Sequence, residues 1–293
     1  MLRLSGAITA LVTPFKDGVV DDDAFQRLVE RQIAAGVSAV VPGGTTGESA
    51  TLTHVEHQRL IALCVEVAAG RAAVVAGAGS NATREAVELA ASAEESRADA
   101  ILAVTGYYNK PSQAGLIAHY EALHEATGLP IVLYNVPGRT ASDLANETVA
   151  RLSRLPRVVA LKDASGDLAR VPLLRAACTP DFALLSGEDM TAVGYNAMGG
   201  RGCIGVSSNV APDRCVAMQA ACADGAYAAA LAEQDALAPL HDVLFADTNP
   251  GPVKYALAEL GLCRPDVRAP LAEPPETVRA AVRRVLDGLD PPR

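Results

Sequence analysis

The sequence predicts a parallel (β/α)8 barrel, also called a TIM barrel, followed by a C-terminal helical appendage. Short apolar runs alternate with segments of helical periodicity along most of the 293 residues. The apolar runs are continuous, which is typical of parallel strands that are buried on both faces. No Gly-x-Gly-x-x-Gly motif follows the first run, so a doubly wound dinucleotide-binding sheet has less support. We therefore expect a catalytic barrel over residues 1–210 and a helical region over residues 211–293.

The strands and helices can be assigned in chain order. The first strand ends at Thr13-Pro14, and the first helix begins at acidic residues and ends at Gly36. The sequence predicts strands at residues 7–12, 37–41, 73–76, 100–104, 131–134, 158–161, 182–185 and 203–206. It predicts helices between them at residues 23–35, 54–69, 83–97, 113–127, 146–155, 168–177 and 191–198. After about residue 210 the strand signals stop, and helices are expected at residues 212–223, 226–240, 253–260 and 275–289.

Net charge and composition exclude several classes of partner. The formal net charge is -9, the pI is near 5.1 and no run of basic residues occurs, which argues against nucleic acid and against an anionic membrane surface. No stretch approaches about 18 uninterrupted apolar residues, and the first residues lack a signal-peptide pattern. We expect a soluble cytoplasmic protein that binds a small molecule, with no metal and no cofactor.

Lys162 lies where a buried strand is expected to end. Burial disfavours the ammonium form of a lysine, and the neutral amine is a nucleophile. The chain has 25 lysines and arginines, yet the lysines are only Lys16, Lys110, Lys162 and Lys254. Arginine cannot replace a neutral amine. On this segment alone the alternative stays open that Lys162 reaches solvent or pairs with Asp163.

Further polar residues follow strand ends, where the loops of such barrels carry chemistry. A glycine-rich turn with Thr45 and Thr46 could hold a carboxylate, and it lacks the Lys-Ser/Thr ending of a phosphate loop. Tyr107 and Tyr108 follow the fourth strand, and they indicate either a proton relay or a loop packed by its own rings. The fifth strand ends at Tyr134, whose hydroxyl should point into the barrel mouth.

These residue types together favour imine chemistry on a 2-oxo acid. Arg139, in the turn after the fifth strand, could bind a carboxylate through its two-pronged guanidinium. Small residues at 186–189 and 202–205 would let a substrate lie against the main chain, or they are simply turns. An amine condenses with a ketone, the protonated imine withdraws electrons from the neighbouring carbon, and a phenol can move the protons.

Four motifs resemble those of the dihydrodipicolinate synthase / N-acetylneuraminate lyase family. They are G-G-T-T-G-E at residues 43–48, Y-Y-N-K-P at 107–111, Y-N-V-P at 134–137 and L-K-D-A-S-G-D at 161–167. The resemblance continues in the helical region as N-P-G-P-V-K at 249–254. Within the family the chain resembles the synthase branch, which implies condensation of pyruvate with L-aspartate 4-semialdehyde on the route to lysine and diaminopimelate. It also implies a homotetramer.

The resemblance implies a role for each residue that matches a catalytic position. Lys162 would form the Schiff base with pyruvate. Tyr134, Thr45 and Tyr108 would form a proton relay, with Tyr108 reaching across from a neighbouring subunit. These roles are taken from the family and are not deduced from spacing.

The resemblance also implies how the substrates are held. Thr46 would help bind the pyruvate carboxylate, and the main chain at Gly187 and Ile204 would line the site. Arg139 would bind the carboxylate of the semialdehyde. Sialic acid lyases typically have Ser-Thr-Gly-Glu where this chain has Thr45-Thr46-Gly47-Glu48, and they lack an arginine that matches Arg139.

A second set of residues matches the positions that bind feedback-inhibiting lysine in many bacterial synthases. A carboxylate could pair with the ammonium of the effector, while histidine and asparagine side chains hold its α-groups. A zinc site built on the two histidines of this set is a poor alternative, because no third ligand is near in sequence. The predicted lysine-binding residues are Ser49, Ala50, His54, His57, Asn81, Glu85 and Tyr107.

Two other functions remain open on the sequence. One is a different pyruvate-dependent class I aldolase, such as an N-acetylneuraminate or 2-keto-3-deoxy-sugar-acid lyase, which would form the same imine. The other is a catalytically silent module that binds an amino acid and has kept the barrel. The presence of Lys162, Tyr134, Thr45 and Tyr108 argues against the silent module.

Overall fold

The computed structural model describes residues 2–289 and contains a closed barrel of parallel strands. In chain order the strands are β1 (Gly6–Ala10), β2 (Phe15–Lys16), β3 (Val19–Val20), β4 (Ala39–Val41), β5 (Ala73–Gly77), β6 (Ala100–Val104), β7 (Ile131–Asn135), β8 (Val158–Asp163), β9 (Ala183–Ser186) and β10 (Gly202–Gly205). From β4 to β10 each barrel strand pairs with the next in the chain, and β1 joins β10 to β4. The predicted fold class is confirmed.

Helices separate the barrel strands and then continue alone to the C-terminal end of the described chain. They are α1 (Asp22–Ala34), α2 (His54–Ala68), α3 (Thr83–Glu95), α4 (Gln113–Ala126), α5 (Pro137–Thr140), α6 (Asn146–Leu152), α7 (Arg170–Ala177), α8 (Ala192–Ala197), α9 (Pro212–Ala223), α10 (Tyr227–Leu244), α11 (Gly251–Glu259) and α12 (Glu276–Gly288). No helix within residues 2–289 is long and apolar enough to cross a membrane.

The barrel is filled by side chains from each of its eight strands, because successive residues of a strand point to opposite faces. Ile8, Val132, Leu185 and Ile204 belong to one buried cluster, and Tyr134 belongs to the same cluster. The other face of each strand packs against the surrounding helices in separate buried clusters. Both faces are therefore apolar, which is why the strands read as continuous apolar runs.

The C-terminal helices share a core with the barrel. Cys215 and Met218 of α9 pack in one buried cluster with Ala7 of β1, and residues of α10, α11 and α12 extend that cluster. Because α9 follows the last strand and packs on the first, it takes the position of the eighth barrel helix. The division of the chain at residue 210 stays a prediction, and residues 290–293 of the predicted C-terminal region lie outside the described chain.

Two local features differ from the expected elements. Strands β2 and β3 form a short antiparallel hairpin that pairs Phe15 with Val20, at a place where no element was expected. Helix α10 extends to Leu244 and includes Pro239 in its interior, whereas the pattern predicted an end at residue 240. Two-residue strands are too short to show a period of two, so sequence periodicity does not reveal this hairpin.

Candidate active site

Lys162 and Tyr134 lie side by side at the end of two neighbouring strands. The pairing of β7 with β8 places Tyr134 directly opposite Lys162. The lysine is 6% exposed and the tyrosine 7% exposed, so both side chains are buried. The Nζ of Lys162 lies 4.3 Å from the centre of the Tyr134 ring. The structure therefore brings together the two residues that the sequence predicted at these strand ends.

Asp163 points away from Lys162 and does not pair with it. Successive residues of a strand face opposite sides, and the Asp163 carboxylate lies 3.7 Å from the buried Arg170 guanidinium. Arg170 also contacts Asp143 at 3.2 Å, and Asp143 accepts a hydrogen bond from Asn135 at 2.7 Å. This network therefore joins Asn135 to Asp163, the residues that directly follow Tyr134 and Lys162 in the chain. Sequence patterns did not reveal it, since its members come from four separate segments.

The loop after β9 packs against the end of β8. The Gly187 N–H donates to the Asp163 carbonyl at 2.7 Å, and a Cβ atom at Gly187 would lie 2.7 Å from the Cβ of Ala164. Only glycine fits this close approach without a shift of the neighbouring strand. Ile204, on β10, is buried inside the barrel. The predicted lining residues thus lie at the same end of the barrel as Lys162.

Glu188 is a residue of this region to which the sequence assigned no role. Burial raises the pKa of its carboxyl, and the nearby Asp189 adds to that rise. Lys162 and Arg139 act on the same pKa in the opposite direction. The Glu188 carboxyl therefore lies within electrostatic reach of both cationic groups. Its position two residues after the end of β9 was the signal in the sequence that could have identified it.

Thr45 and Thr46 lie in the loop after β4, at the same end of the barrel. Thr46 is buried, and its hydroxyl accepts a hydrogen bond from the Asn249 amide at 3.0 Å. The next carbonyl, that of Gly47, accepts from the Thr13 hydroxyl at 2.6 Å. The loop after β4 is therefore held by Thr13, near the start of the chain, and by Asn249, in the C-terminal region. Asn249 was part of a recognised motif, but the sequence did not indicate that it reaches the barrel mouth.

Tyr108 and Arg139 are exposed, unlike the buried pair of Lys162 and Tyr134. Tyr108 is 89% exposed and has a left-handed backbone with φ of 69°, and its N–H donates to the Thr140 carbonyl at 3.4 Å. Arg139 is exposed on the short helix α5. Within a single chain, the structure thus places the Tyr108 ring in solvent and does not bring it to Lys162.

The predicted lysine-binding residues lie on the rim of the barrel, mostly at the starts of α2 and α3. His54 and Glu85 meet there, with 3.2 Å between Nε2 and Oε1, and Ser80 donates to the other oxygen of Glu85. These hydrogen bonds lower the pKa of the Glu85 carboxyl. The Asn81 carbonyl accepts from the Asn109 amide at 2.9 Å. We call the following residues the rim cluster: Ser49, Ala50, His54, His57, Asn81, Glu85 and Tyr107.

The rim cluster combines exposed and buried members. His57 is buried beneath the turn after β4, where a Cβ atom at Gly43 would lie 2.8 Å from its Nε2. Burial lowers the pKa of His57, although hydrogen bonds with the Gly77 and Gly43 main chain oppose this. Ser49 and Ala50 form a single helical turn just before the Thr53 cap of α2. Among residues 2–289, no group of three or more acidic, histidine or cysteine side chains is arranged to hold a metal.

Comparisons with known proteins agree on one family. The model of the dihydrodipicolinate synthetase family matches residues 3–288. A protein of Parvibaculum lavamentivorans named 4-hydroxy-tetrahydrodipicolinate synthase is 56% identical over 97% of both chains. The crystal structure of a chloride-inhibited dihydrodipicolinate synthase from Acinetobacter baumannii, complexed with pyruvate, is 43% identical and has a TM-score of 0.95. It covers 97% of this chain, and 98% of its own chain is matched.

A second solved structure carries a different ligand. The dihydrodipicolinate synthase from Cyanidioschyzon merolae, with lysine bound, is 38% identical over 97% of both chains, with a TM-score of 0.94. Family model, relatives and structures all cover nearly the whole chain, so the resemblance seen in the sequence motifs is confirmed. The chain belongs to the dihydrodipicolinate synthetase family and is a lyase.

Proposed function

We propose that this protein is a 4-hydroxy-tetrahydrodipicolinate synthase, which condenses pyruvate with L-aspartate 4-semialdehyde in lysine and diaminopimelate biosynthesis. The single observation that carries the proposal is the buried Lys162 amine against the ring of Tyr134 at the ends of β8 and β7. A buried amine beside a phenol has the two groups that imine chemistry requires, a nucleophile and a proton carrier.

The first step joins pyruvate to Lys162. The Nζ lone pair attacks the ketone carbon of pyruvate, and the carbinolamine oxygen leaves as water after it takes up a proton. The hydroxyls of Tyr134 and Thr45 carry the protons of this step. The pyruvate carboxylate lies in the loop after β4, against Thr46, with the main chain at Gly187 and Ile204 along its side.

The second step forms the new carbon–carbon bond. Loss of a proton from the pyruvate methyl group gives an enamine, whose carbon attacks the aldehyde carbon of the semialdehyde. The amino group of the semialdehyde unit then attacks the imine carbon and displaces Lys162, which closes the ring and frees the amine. Arg139 binds the semialdehyde carboxylate through paired hydrogen bonds. The exposure of Arg139 on α5 leaves its guanidinium open to an incoming anion.

The proposal extends to assembly and control. Tyr108 completes the proton relay of a neighbouring subunit in a cytoplasmic homotetramer, and its 89% exposure in one chain is consistent with that use. Lysine binds at the rim cluster, where Glu85 pairs with its ammonium in place of His54. The related synthase with lysine bound supports this part of the proposal.

Borohydride trapping tests the covalent step. With pyruvate and borohydride, mass spectrometry should find one modified peptide, the one that contains Lys162, and no change at Lys16, Lys110 or Lys254. The variant Lys162→Arg retains the positive charge and should stay unmodified. If wild-type Lys162 stays unmodified at saturating pyruvate, the silent binding module is the better description.

Turnover with different aldehydes separates the synthase from its siblings. Pyruvate with L-aspartate 4-semialdehyde should give product, and N-acetylneuraminate or 2-keto-3-deoxy sugar acids should not be cleaved at a comparable rate. Trapping alone cannot decide this, because the sibling lyases form the same imine. Cleavage of a sugar acid without any product from the semialdehyde would replace the proposed reaction with a lyase activity.

A further inference from the structure

A buried ion pair connects the mouth of the barrel to the C-terminal helices. The Lys254 Nζ on α11 donates to a carboxylate oxygen of Glu48 at 2.7 Å, and both side chains are 0% exposed. Glu48 stands two residues after Thr46, in the loop that follows β4. The two residues are separated by 206 positions in the chain, so the contact fixes two distant segments to each other.

The second oxygen of Glu48 is also held by the C-terminal region. It accepts a hydrogen bond from the main-chain N–H of Arg268 at 3.0 Å. Glu48 itself has a left-handed backbone conformation, with φ of 55° and ψ of 37°. Residues other than glycine adopt this conformation at a cost in free energy. Both carboxylate oxygens are thus satisfied by groups that lie outside the barrel strands.

The surroundings of the pair leave little freedom to either partner. The Lys254 Nζ lies 4.1 Å from the centre of the Phe15 ring, and the Arg268 guanidinium carbon lies 4.3 Å from the same centre. Arg268 also makes paired hydrogen bonds to Glu56, at 2.6 and 2.8 Å. Burial lowers the pKa of Lys254, and the negative charge of Glu48 opposes that shift.

A buried ion pair of this kind is weak evidence for stability alone. The cost of removing two charges from water can exceed their attraction, and well-packed apolar residues often stabilise a fold equally well. The pair fixes the position of the Glu48 side chain relative to Lys254, because separating two buried charges would leave each of them without a partner. The geometry fixed here is that of the loop after β4, which carries Thr45 and Thr46.

Helix α11 holds the same loop at a second point. Asn249, just before that helix, donates to the Thr46 hydroxyl at 3.0 Å. The start of α11 therefore contacts the loop through the Thr46 hydroxyl and through the Glu48 carboxylate. Movement of α11 relative to the barrel would shift both threonines together.

We propose that Lys254 is a positioning residue for pyruvate binding. Lys254 acts through Glu48 and holds Thr45 and Thr46 in the geometry that receives the substrate. Lys254 does not touch the substrate in this scheme. The inference rests on the proposed function, because it requires that pyruvate binds at this loop. It makes the C-terminal helices part of the binding site.

The test compares Lys254→Met with a control elsewhere in the C-terminal region. Arg214→Met removes the Arg214–Glu233 pair between α9 and α10, which has an N–O distance of 2.9 Å but lies on other helices. In Lys254→Met the pyruvate concentration for half-maximal borohydride trapping should rise about tenfold or more, the effect of losing a hydrogen bond to a charged group. The maximal trapping rate should change less, and Arg214→Met should resemble the wild type.

A double variant covers the case in which a lone buried carboxylate prevents folding. Glu48→Gln with Lys254→Met removes both charges and keeps similar volumes, so the destabilising unpaired charge is absent. It should show the same raised half-saturation for pyruvate. A folded variant of either kind that traps pyruvate with wild-type half-saturation overturns the inference. Failure of the wild type to trap pyruvate would instead refute the proposed function.

Hydrogen exchange in the unmodified protein gives an independent measurement. The Arg268 N–H donates directly to Glu48, so its exchange rate reports on the contact itself. If pyruvate and the C-terminal region are coupled through this loop, pyruvate must slow exchange at Arg268, because coupling between two sites is reciprocal. An Arg268 exchange rate that is the same with and without saturating pyruvate, in protein shown to form the imine, would refute the coupling.

Discussion

The buried pair of Lys162 and Tyr134 and the exposed pair of His54 and Glu85 are built in different ways. Lys162 and Tyr134 lie on adjacent strands, and each is less than one-tenth exposed. His54 and Glu85 lie on two helices, with side chains 63% and 41% exposed. The buried pair is fixed by the strand register, whereas the exposed pair is joined by one contact between side chains that water can reach.

This difference explains what each site can do. A group fixed on a strand in a desolvated place can hold a reacting atom in one geometry without reorganisation. An exposed ion pair contributes only about 0–1 kcal/mol, so a ligand with a stronger charge can displace it at little cost. We therefore expect substitutions at the buried pair to act on chemistry and those at the rim cluster to act on regulation.

The largest expected effect comes from removal of the Tyr134 hydroxyl. Tyr134→Phe keeps the ring against Lys162 but removes the proposed proton carrier, and kcat should fall about 100-fold to 10,000-fold. Steady-state kinetics with both substrates measures this. The control is Tyr120→Phe on α4, which removes another buried hydroxyl, one that donates to the Ala103 carbonyl at 2.9 Å. If both variants lose the same activity, the loss reflects a damaged core and not proton transfer.

A smaller effect is expected from a substitution at Arg139, which should affect one substrate and not the other. Arg139→Ala should raise the KM for the semialdehyde about 10-fold to 100-fold, the range for one charged hydrogen-bonding partner. Imine trapping with pyruvate alone should fall far less, because the proposed pyruvate site at Lys162 is buried, whereas Arg139 is exposed. Arg151→Ala on α6, which removes an exposed pair with Glu121, is the matched control. Equal losses in both assays would contradict the assignment of Arg139 to the second substrate.

The sequence predicted the strand-borne residues better than the contacts between distant segments. Lys162 and Tyr134 follow apolar runs whose pattern fixes both the strand and the end of the barrel. The Glu48–Lys254 pair could not be predicted, since no local pattern links residues 206 positions apart. The possible pairing of Lys162 with Asp163 is excluded by strand alternation, which turns the two side chains to opposite faces.

A further prediction concerns the rim cluster and its proposed ligand. Glu85→Gln removes the charge that would pair with the lysine ammonium, so the lysine concentration for half-maximal inhibition should rise about tenfold. The ratio of the rate with lysine to the rate without lysine measures this effect, and it does not depend on the uninhibited rate of each variant. Glu88→Gln, one turn further along α3 and 3.7 Å from Arg84, is the control. Inhibition that is equally strong in wild type and Glu85→Gln would remove the rim cluster as the lysine site.

The smallest effect concerns the buried member of the rim cluster and is a pH dependence of stability. Burial lowers the pKa of His57 below the usual value of 6.5, and it does the same for three other histidines, His119, His124 and His241. Below about pH 6.5 the unfolded chain therefore binds more protons than the folded chain, and the free energy of unfolding decreases as pH falls. Above that pH the contribution of these histidines is fully present.

His57→Gln should reduce that slope, while His119, His124 and His241 keep the remainder. Each group that titrates only in the unfolded chain contributes at most about 1.4 kcal/mol per pH unit. Urea denaturation at pH 7.5 and at pH 5.5, with wild type and His57→Gln compared at each pH, gives the difference in slope. A variant with the wild-type slope would mean that His57 gains its proton equally well in the folded chain. His57 would then be as open to water as His54 and Glu85. The difference in burial between the rim cluster and the pair of Lys162 and Tyr134 would be larger than the structure indicates.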